Sequence, residues 1–236
     1  MTAHGADMAT AVAAPVAPAA APALGDTAVR SSLRSLAQQR FARSQEVATA
    51  FFDAHADDVA RACEAMAQRF ARGGRLLAFG GGASASDARH VAVEFVHPVL
   101  VGKRALPAIA LPVGARSGDA ARALAVLGRP VDIAMGIAAG ALDTGITVPL
   151  ADARRWGMLT LLLAGGAAAV QSPPRAAGTG AADLACADLA CADLACADHT
   201  FVVPSPDPLA VQEVHEMTYH VLWELVHVFL DPRLAS

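Results

Sequence analysis

The chain has 236 residues, 55% of them hydrophobic, and carries a formal net charge of −4 from 18 basic and 22 acidic residues. This length and apolar content predict one α/β domain with a substantial core. The acidic balance, with no basic stripe, argues against nucleic acid as a partner. The longest strongly apolar run, residues 159–170, is too short and too interrupted by glycine to span a bilayer, so we expect no membrane association.

The first 27 residues are rich in alanine and proline and lack the basic start of a signal peptide. We therefore expect a disordered tail over residues 1–27, a single folded domain over residues 28–236, and a cytoplasmic protein. Helical periodicity runs over about residues 28–72 and predicts two helices, the second of which ends at the pair Gly73-Gly74.

Five short apolar runs follow, and helix-like segments separate them. Continuous apolar strands that alternate with helices predict a parallel sheet with helices on both faces, a three-layer α/β/α arrangement. The predicted strands lie at residues 75–81, 105–112, 132–138, 159–165 and 200–205. The last segment, residues 207–231, predicts an amphipathic helix with Asp207 as its N-cap and Pro208 at its first position.

The segment 182–198 writes the unit ADLAC three times. A period of five residues matches neither a helix, a strand nor a solenoid repeat. A tandem duplication inserted into a surface loop explains it, since such insertions cost little closure entropy. The alternative is a soft-metal site, because the repeat spaces Cys186, Cys191 and Cys196 five residues apart.

A glycine-rich turn, "GGGASAS" over residues 80–86, follows the first predicted strand and leads into a helix. Unpaired N–H groups and the helix dipole make such a turn an anion site, and Ser84 and Ser86 add hydroxyl donors. The alternative is a tight strand–helix junction that small residues fill.

Two pairs of polar residues suggest chemistry. His90 and Glu94 are four residues apart on the helix after the turn, so they share a face. Gln212 and His220 are eight apart in the last helix and lie within about 80° of each other at 3.6 residues per turn. Together they could form a divalent metal site or an acid–base pair. Alternatively, each is a solvated residue on a helix flank.

The segments "SASDARHVAVE" (84–94) and "QEVHEMTYH" (212–220), with "RLLAFGG", "GKRALPAIAL", "DIAMGI" and "GMLTLLLAG", resemble landmarks of the sugar isomerase (SIS) family, in its phosphoheptose isomerase branch. The resemblance covers about residues 30–231. It implies a five-stranded SIS fold, a homodimer or homotetramer, and a zinc site. The metal ligands that it implies are His90, Glu94, Gln212 and His220.

The resemblance also implies a reaction, the isomerisation of a ketose phosphate of the sedoheptulose 7-phosphate type to an aldose phosphate. Glu94 corresponds to the base and His220 to the acid. We expect contacts with the carbohydrate from Gly82, Ser84, Ser86 and Asp87, although a place near the helix start also suits Asp87 to capping.

The chain departs from the family pattern in both phosphate loops. Gly81 and Ala83 replace an Asn and a Gly of the first turn, and residues 138–143 replace a loop rich in Ser and Thr and bring in Asp143. Lost hydroxyls and a new carboxylate weaken a phosphate site. Two alternatives to the phosphosugar isomerase therefore stand. One is a non-catalytic SIS protein that binds a metal or ligand as a regulator or assembly partner, and the other is an isomerase of an unphosphorylated or differently anchored substrate.

Overall fold

The computed structural model describes residues 27–98, 100–112, 118–166 and 195–231. Residues 1–26 of the predicted tail and residues 182–194 of the ADLAC repeat lie outside the described residues, and Thr27, the last residue of the predicted tail, is helical. The chain divides into two compact units, Met1–Arg40 and Phe41–Ser236. The described part of the first unit is helical, and the second unit holds the sheet and all the predicted site residues.

The first helix, α1, is a single helix of 45 residues, Thr27–Ala71, where the sequence predicted two. From residue 47 onward it buries one apolar face, which includes Phe51, Cys63 and Met66. The helix ends as predicted: Gly73 has φ +80° and its N–H donates to the Phe70 carbonyl. A residue with a side chain is strained in this left-handed conformation, so glycine stops the helix here.

Five parallel strands form one sheet in the order β2-β1-β3-β4-β5, which confirms the fold expected from the apolar runs. Each strand pairs in parallel with its neighbours. Their bounds are β1 Leu76–Gly80, β2 Ala108–Ala110, β3 Ile133–Ala138, β4 Leu159–Ala164 and β5 His199–Val202. The central strands β1, β3 and β4 are buried throughout, as strands covered on both faces must be.

Four more helices complete the described elements: α2 Ser84–Val96, α3 Asp119–Leu127, α4 Thr144–Arg155 and α5 Pro208–Phe229. Alternate residues of β1 enter two separate cores. Leu76 and Ala78 pack with residues of α1, α2 and α5, and Leu77 and Phe79 pack with residues of α3 and α4. This alternation follows from the two-residue period of a strand and gives the three predicted layers.

The start of α5 also agrees with the prediction, because the Asp207 carboxylate accepts the Leu209 N–H at 3.0 Å and Pro208 is the first helical residue. Since β1 and β3 are parallel, the turn into α2 and the turn into α4 lie at the same edge of the sheet. Open parallel sheets bind ligands at this carboxyl edge. Within the described residues, every helix is too short or too polar to cross a bilayer.

Candidate active site

Helices α2 and α5 bring three of the four predicted ligands together. The Nε2 atom of His90 lies 3.2 Å from Oε1 of Glu94, and Nε2 of His220 lies 4.0 Å from the same oxygen. The rings of His90 and His220 are 5.4 Å apart at their centroids. The Glu94 side chain is only 15% exposed, whereas those of His90 and His220 are 38% and 46% exposed. We call this half-exposed group of side chains the cleft; the Glu94 carboxylate is its most buried member.

The fourth predicted ligand, Gln212, is directed elsewhere. Its side-chain N–H donates to Oδ1 of Asp87 at 2.9 Å, one turn before His90 on α2. The prediction that Asp87 caps α2 is wrong: the N-cap position belongs to Ala83, and Asp87 is buried in the contact between α2 and α5. Burial raises the pKa of Asp87, the hydrogen bond from Gln212 lowers it, and the Glu216 carboxylate raises it further.

Two residues of α5 belong to this cleft although the sequence did not single them out. The Tyr219 hydroxyl lies 2.8 Å from Nδ1 of His90, and Oε1 of Glu216 lies 3.4 Å from the same nitrogen. Burial raises the pKa of Tyr219, and the negative charges of Glu216, Asp87 and Glu94 raise it further. The sequence does contain a signal for Glu216: it lies four residues from both Gln212 and His220, a spacing that places all three on one face of a helix.

Carboxylates lie beside both ring nitrogens of His90: Oε1 of Glu94 is 3.2 Å from Nε2, and Oε1 of Glu216 is 3.4 Å from Nδ1. A carboxylate only accepts hydrogen bonds, and a neutral imidazole has a single N–H, so a neutral His90 donates to one carboxylate and keeps a lone pair on the other nitrogen. An imidazole held by a carboxylate on one nitrogen presents the other nitrogen as a basic ligand.

The turn between β1 and α2 is a short anion-type turn. Among the described residues, no acceptor lies within hydrogen-bond reach of the N–H groups of Gly82 and Ala83, and both residues are exposed. The two serines are less available than the sequence indicated. Ser84 is buried and its Oγ accepts the Ala139 N–H at 3.0 Å, and the Ser86 hydroxyl donates to the Ala83 carbonyl at 2.6 Å. Backbone donors and the helix dipole therefore dominate this turn.

The turn between β3 and α4 already contains an anion. Oδ1 of Asp143 accepts the Gly145 N–H at 2.7 Å and caps α4. A side-chain carboxylate at a helix N-terminus satisfies the donors that a phosphate would otherwise use, and its charge repels a second anion. This second loop is therefore a poor phosphate site, as its sequence predicted.

The donors in the cleft suit a divalent cation. Neutral imidazole and carboxylate are ligands that zinc accepts. Oδ2 of Asp87 is buried without a hydrogen-bond partner, which is a costly state for a charged oxygen. One atom each from His90, Glu216 and His220 lies within 4.8 Å of the others. Oε1 of Glu94 also lies 3.2 Å from His90 and 4.0 Å from His220, so the residues present fit a metal.

Comparison with known proteins places the chain in a class. The sequence model of the SIS domain family matches residues 40–140. In structure, the chain is similar to phosphoheptose isomerases of Neisseria gonorrhoeae and Francisella tularensis, with a TM-score of 0.62 in both cases. The chain and the Neisseria protein are 20% identical, over 82% of this chain and 98% of the other; for Francisella the values are 24%, 83% and 97%. These two structures define the fold as that of the SIS class.

The sequence relatives define the branch. The phosphoheptose isomerase of Desulfovibrio desulfuricans is 33% identical over 70% of this chain and 74% of the relative. The phosphoheptose isomerase of Roseiflexus sp. is 32% identical over 69% of this chain and 77% of the relative. The chain belongs to the SIS-domain family, in the branch of the phosphoheptose isomerases. The fold alone does not determine the function, since the sugar isomerase domain of an RpiR transcription factor from Sphaerobacter thermophilus also matches, at TM-score 0.51 and 19% identity, over 83% of this chain and 96% of the other.

Proposed function

We propose that the protein is a phosphosugar isomerase that interconverts a ketose phosphate of the sedoheptulose 7-phosphate type and its aldose. The observation that carries this proposal is the convergence of Glu94 from α2 and His220 from α5, 4.0 Å apart, at the carboxyl edge of the sheet. The anion-type turn at Gly82 opens α2, the same helix that carries Glu94. Family membership supports the choice of reaction, because the curated relatives are named phosphoheptose isomerases.

The proposed reaction needs two proton transfers. Glu94 removes the proton from the carbon next to the carbonyl and returns it to the neighbouring carbon, and its low exposure keeps competing water away. His220 moves a proton between the two oxygens, for which its more open position leaves room. A bound divalent ion would supply polarisation of those oxygens. The zinc ligands that the resemblance implies, His90, Glu94, Gln212 and His220, remain a proposal.

The substitution Glu94→Gln tests this assignment. We expect the purified wild-type protein, supplied with zinc, to convert sedoheptulose 7-phosphate, and Glu94→Gln to lower kcat by about 10²–10⁴, the usual contribution of a general base. The control is Glu224→Gln, an exposed carboxylate two turns beyond Glu216 on α5, which should retain full activity. Circular dichroism confirms that each variant is folded. Full activity in Glu94→Gln would refute the role of Glu94.

A non-catalytic SIS protein is the second candidate, and the Asp143 cap is the observation that favours it. The Asp143 carboxylate already accepts a backbone N–H at the start of α4, so one of the two loops that should hold the phosphate has this donor occupied. Thermal-shift measurements with sedoheptulose 7-phosphate and with sedoheptulose separate the candidates. If neither sugar produces a thermal shift or is turned over, the isomerase proposal is refuted. Turnover of sedoheptulose but not of its phosphate would mean that the substrate carries no phosphate.

The homodimer or homotetramer that the resemblance implies also remains a proposal. Light scattering coupled to size-exclusion chromatography of the full chain measures the mass directly. A monomer would contradict it.

A further inference from the structure

Tyr219 contacts both imidazoles of the cleft. Its hydroxyl lies 2.8 Å from Nδ1 of His90, and its ring meets the rings of His90 and His220 edge to face, at centroid distances of 5.2 and 5.1 Å. Tyr219 is only 1% exposed, whereas the side chains of His90 and His220 are 38% and 46% exposed. One buried aromatic residue therefore supports two half-exposed imidazoles that come from different helices.

The Tyr219 hydroxyl occupies one nitrogen of His90 while the other faces Glu94. Nε2 of His90 lies 3.2 Å from Oε1 of Glu94, and Nε2 of His220 lies 4.0 Å from the same oxygen. Donor atoms around tetrahedral zinc are about 3.4 Å apart, given bonds of about 2.0–2.2 Å. These three atoms are therefore close to the spacing of a zinc site.

The hydroxyl also favours one orientation of the His90 ring. The last torsion of a histidine side chain is broad and roughly two-fold, so a half-turn of the ring is open to an isolated side chain. In the cleft, a half-turn would replace Nδ1 by a ring carbon and leave the buried Tyr219 hydroxyl without its partner, which is costly. This argument holds for either tautomer of His90, because a phenol both donates and accepts hydrogen bonds.

Glu216 is the other group beside Nδ1 of His90, and it constrains the ring less. Its Oε1 lies 3.4 Å from that nitrogen, but its side chain is 46% exposed and keeps more rotamer freedom than a buried aromatic ring. The Tyr219 hydroxyl stays neutral, since burial raises its pKa and the carboxylates of Glu216, Asp87 and Glu94 raise it further. Tyr219 is therefore the firmer partner for the ring.

We propose that Tyr219 is a positioning residue for the metal site, which holds the rings of His90 and His220 so that their Nε2 atoms face Glu94. The proposal keeps the ligands of the proposed function and adds a residue behind them. It rests on that function only in taking zinc to bind in the cleft. A partner behind a histidine ligand contributes about 10–100-fold to metal affinity.

Zinc affinity, measured without any sugar, tests the role of the hydroxyl. Competition with a chromophoric chelator compares the wild type, Tyr219→Phe and the control Thr218→Val. Tyr219→Phe keeps the ring and removes only the hydroxyl, so we expect a loss of about 10–100-fold. Thr218→Val also removes a buried hydroxyl from α5, one that donates to the Val214 carbonyl of the same helix at 2.7 Å, and it should bind zinc like the wild type.

A second measurement needs no variant. Tyr219 is the only tyrosine of the chain, so protein labelled with carbon-13 at tyrosine Cζ gives one labelled resonance, from this residue. Cζ carries the hydroxyl that contacts His90, so the resonance should shift in step with zinc binding.

Four results would overturn the proposal: wild-type zinc affinity in a folded Tyr219→Phe variant, equal losses in Tyr219→Phe and Thr218→Val, a tyrosine resonance that zinc leaves in place, or a wild type that binds no zinc. A tyrosine that only packs the core would lower the stability of the variant and leave its zinc affinity unchanged. If Tyr219→Phe does not fold, the tyrosine resonance of the wild type decides.

The outcomes also separate this inference from the isomerase itself. Turnover of sedoheptulose 7-phosphate by the wild type, with unchanged zinc affinity in Tyr219→Phe, removes only the role of Tyr219. Weaker zinc binding by Tyr219→Phe, without any turnover by the zinc-loaded wild type, removes only the isomerase.

Discussion

The contact between Gly165 and Val211 positions the start of α5 against the end of β4, and a single methyl group should disrupt it. Gly165 is buried, and a Cβ placed on it would overlap Cγ1 of Val211 and lie 2.6 Å from Cγ2 and 2.9 Å from Cβ. Its backbone φ lies outside the left-handed region, so any cost of Gly165→Ala is steric. Val211 is fully buried and precedes Gln212, so α5 cannot relax without moving the site.

The expected magnitude follows from packing. Gly165→Ala should lower the free energy of unfolding by about 1–3 kcal/mol, the usual cost of overpacking a core. Val211→Ala removes two methyl groups, worth ~0.8 kcal/mol each, and adds a cavity term, for a loss of about 2 kcal/mol. In the double variant the new methyl group enters the space that Val211 vacates. The two losses should therefore sum to more than the loss of the double variant, by about 1–3 kcal/mol.

Urea denaturation followed by circular dichroism measures these values. Gly140→Ala is the matched control, because a Cβ at Gly140 has no heavy atom within 4 Å and its φ is not positive. It should change stability little, or raise it slightly by restricting the unfolded chain. A Gly165→Ala variant as stable as the wild type, or strict additivity in the double variant, would refute the reasoning.

Two further predictions concern pH. Burial lowers the pKa of His215 to about 4, and its Nε2–H donates to the Ala164 carbonyl at 3.2 Å. Below pH 6.5 the unfolded chain binds a proton at His215 that the folded chain does not, so the free energy of unfolding should fall by up to about 3 kcal/mol as the pH drops from 6.5 toward 4. A urea titration series on the His215→Gln variant should lack this loss, and an unchanged pH profile would contradict it. Burial alone would raise the pKa of Asp132, but hydrogen bonds from Arg129 and Arg75 lower it to about 2. The ionised carboxylate should therefore add about 2 kcal/mol to the free energy of unfolding above pH 4, and this contribution should be lost as the pH falls from 4 to 2. Asp132→Asn should be less stable at pH 7 and show a flatter acid limb; equal stability at pH 7 would argue against the pairing.

Much of the fold was predictable because its signals are local. The apolar runs of β1, β3 and β4 predicted strands buried on both faces, and Asp207 with Pro208 predicted where α5 begins. The prediction of two helices before β1 was wrong, since periodicity does not show whether two helical stretches join into one. The structure has a single helix, Thr27–Ala71.

The candidate site was predictable only in part. The spacing of His90 and Glu94 predicted a shared face, and their side chains do lie 3.2 Å apart. The spacing could not show that Gln212 would donate to Asp87, because this contact joins residues 125 positions apart. Asp87 lies near the start of α2, a position that suits a capping residue, yet the packing of α5 on α2 buries it instead.

The sequence by itself determined the layers, the order of the elements and the residue types available for chemistry, because strand and helix periodicities and end signals act over a few residues. Tertiary structure alone decided which of those residues meet. The approach of Glu94 to His220, the place of Glu216 beside His90, and the hydrogen bond between Tyr219 and the same imidazole all depend on how α5 packs against α2. That packing arises from apolar contacts across the whole core, which no local spacing records.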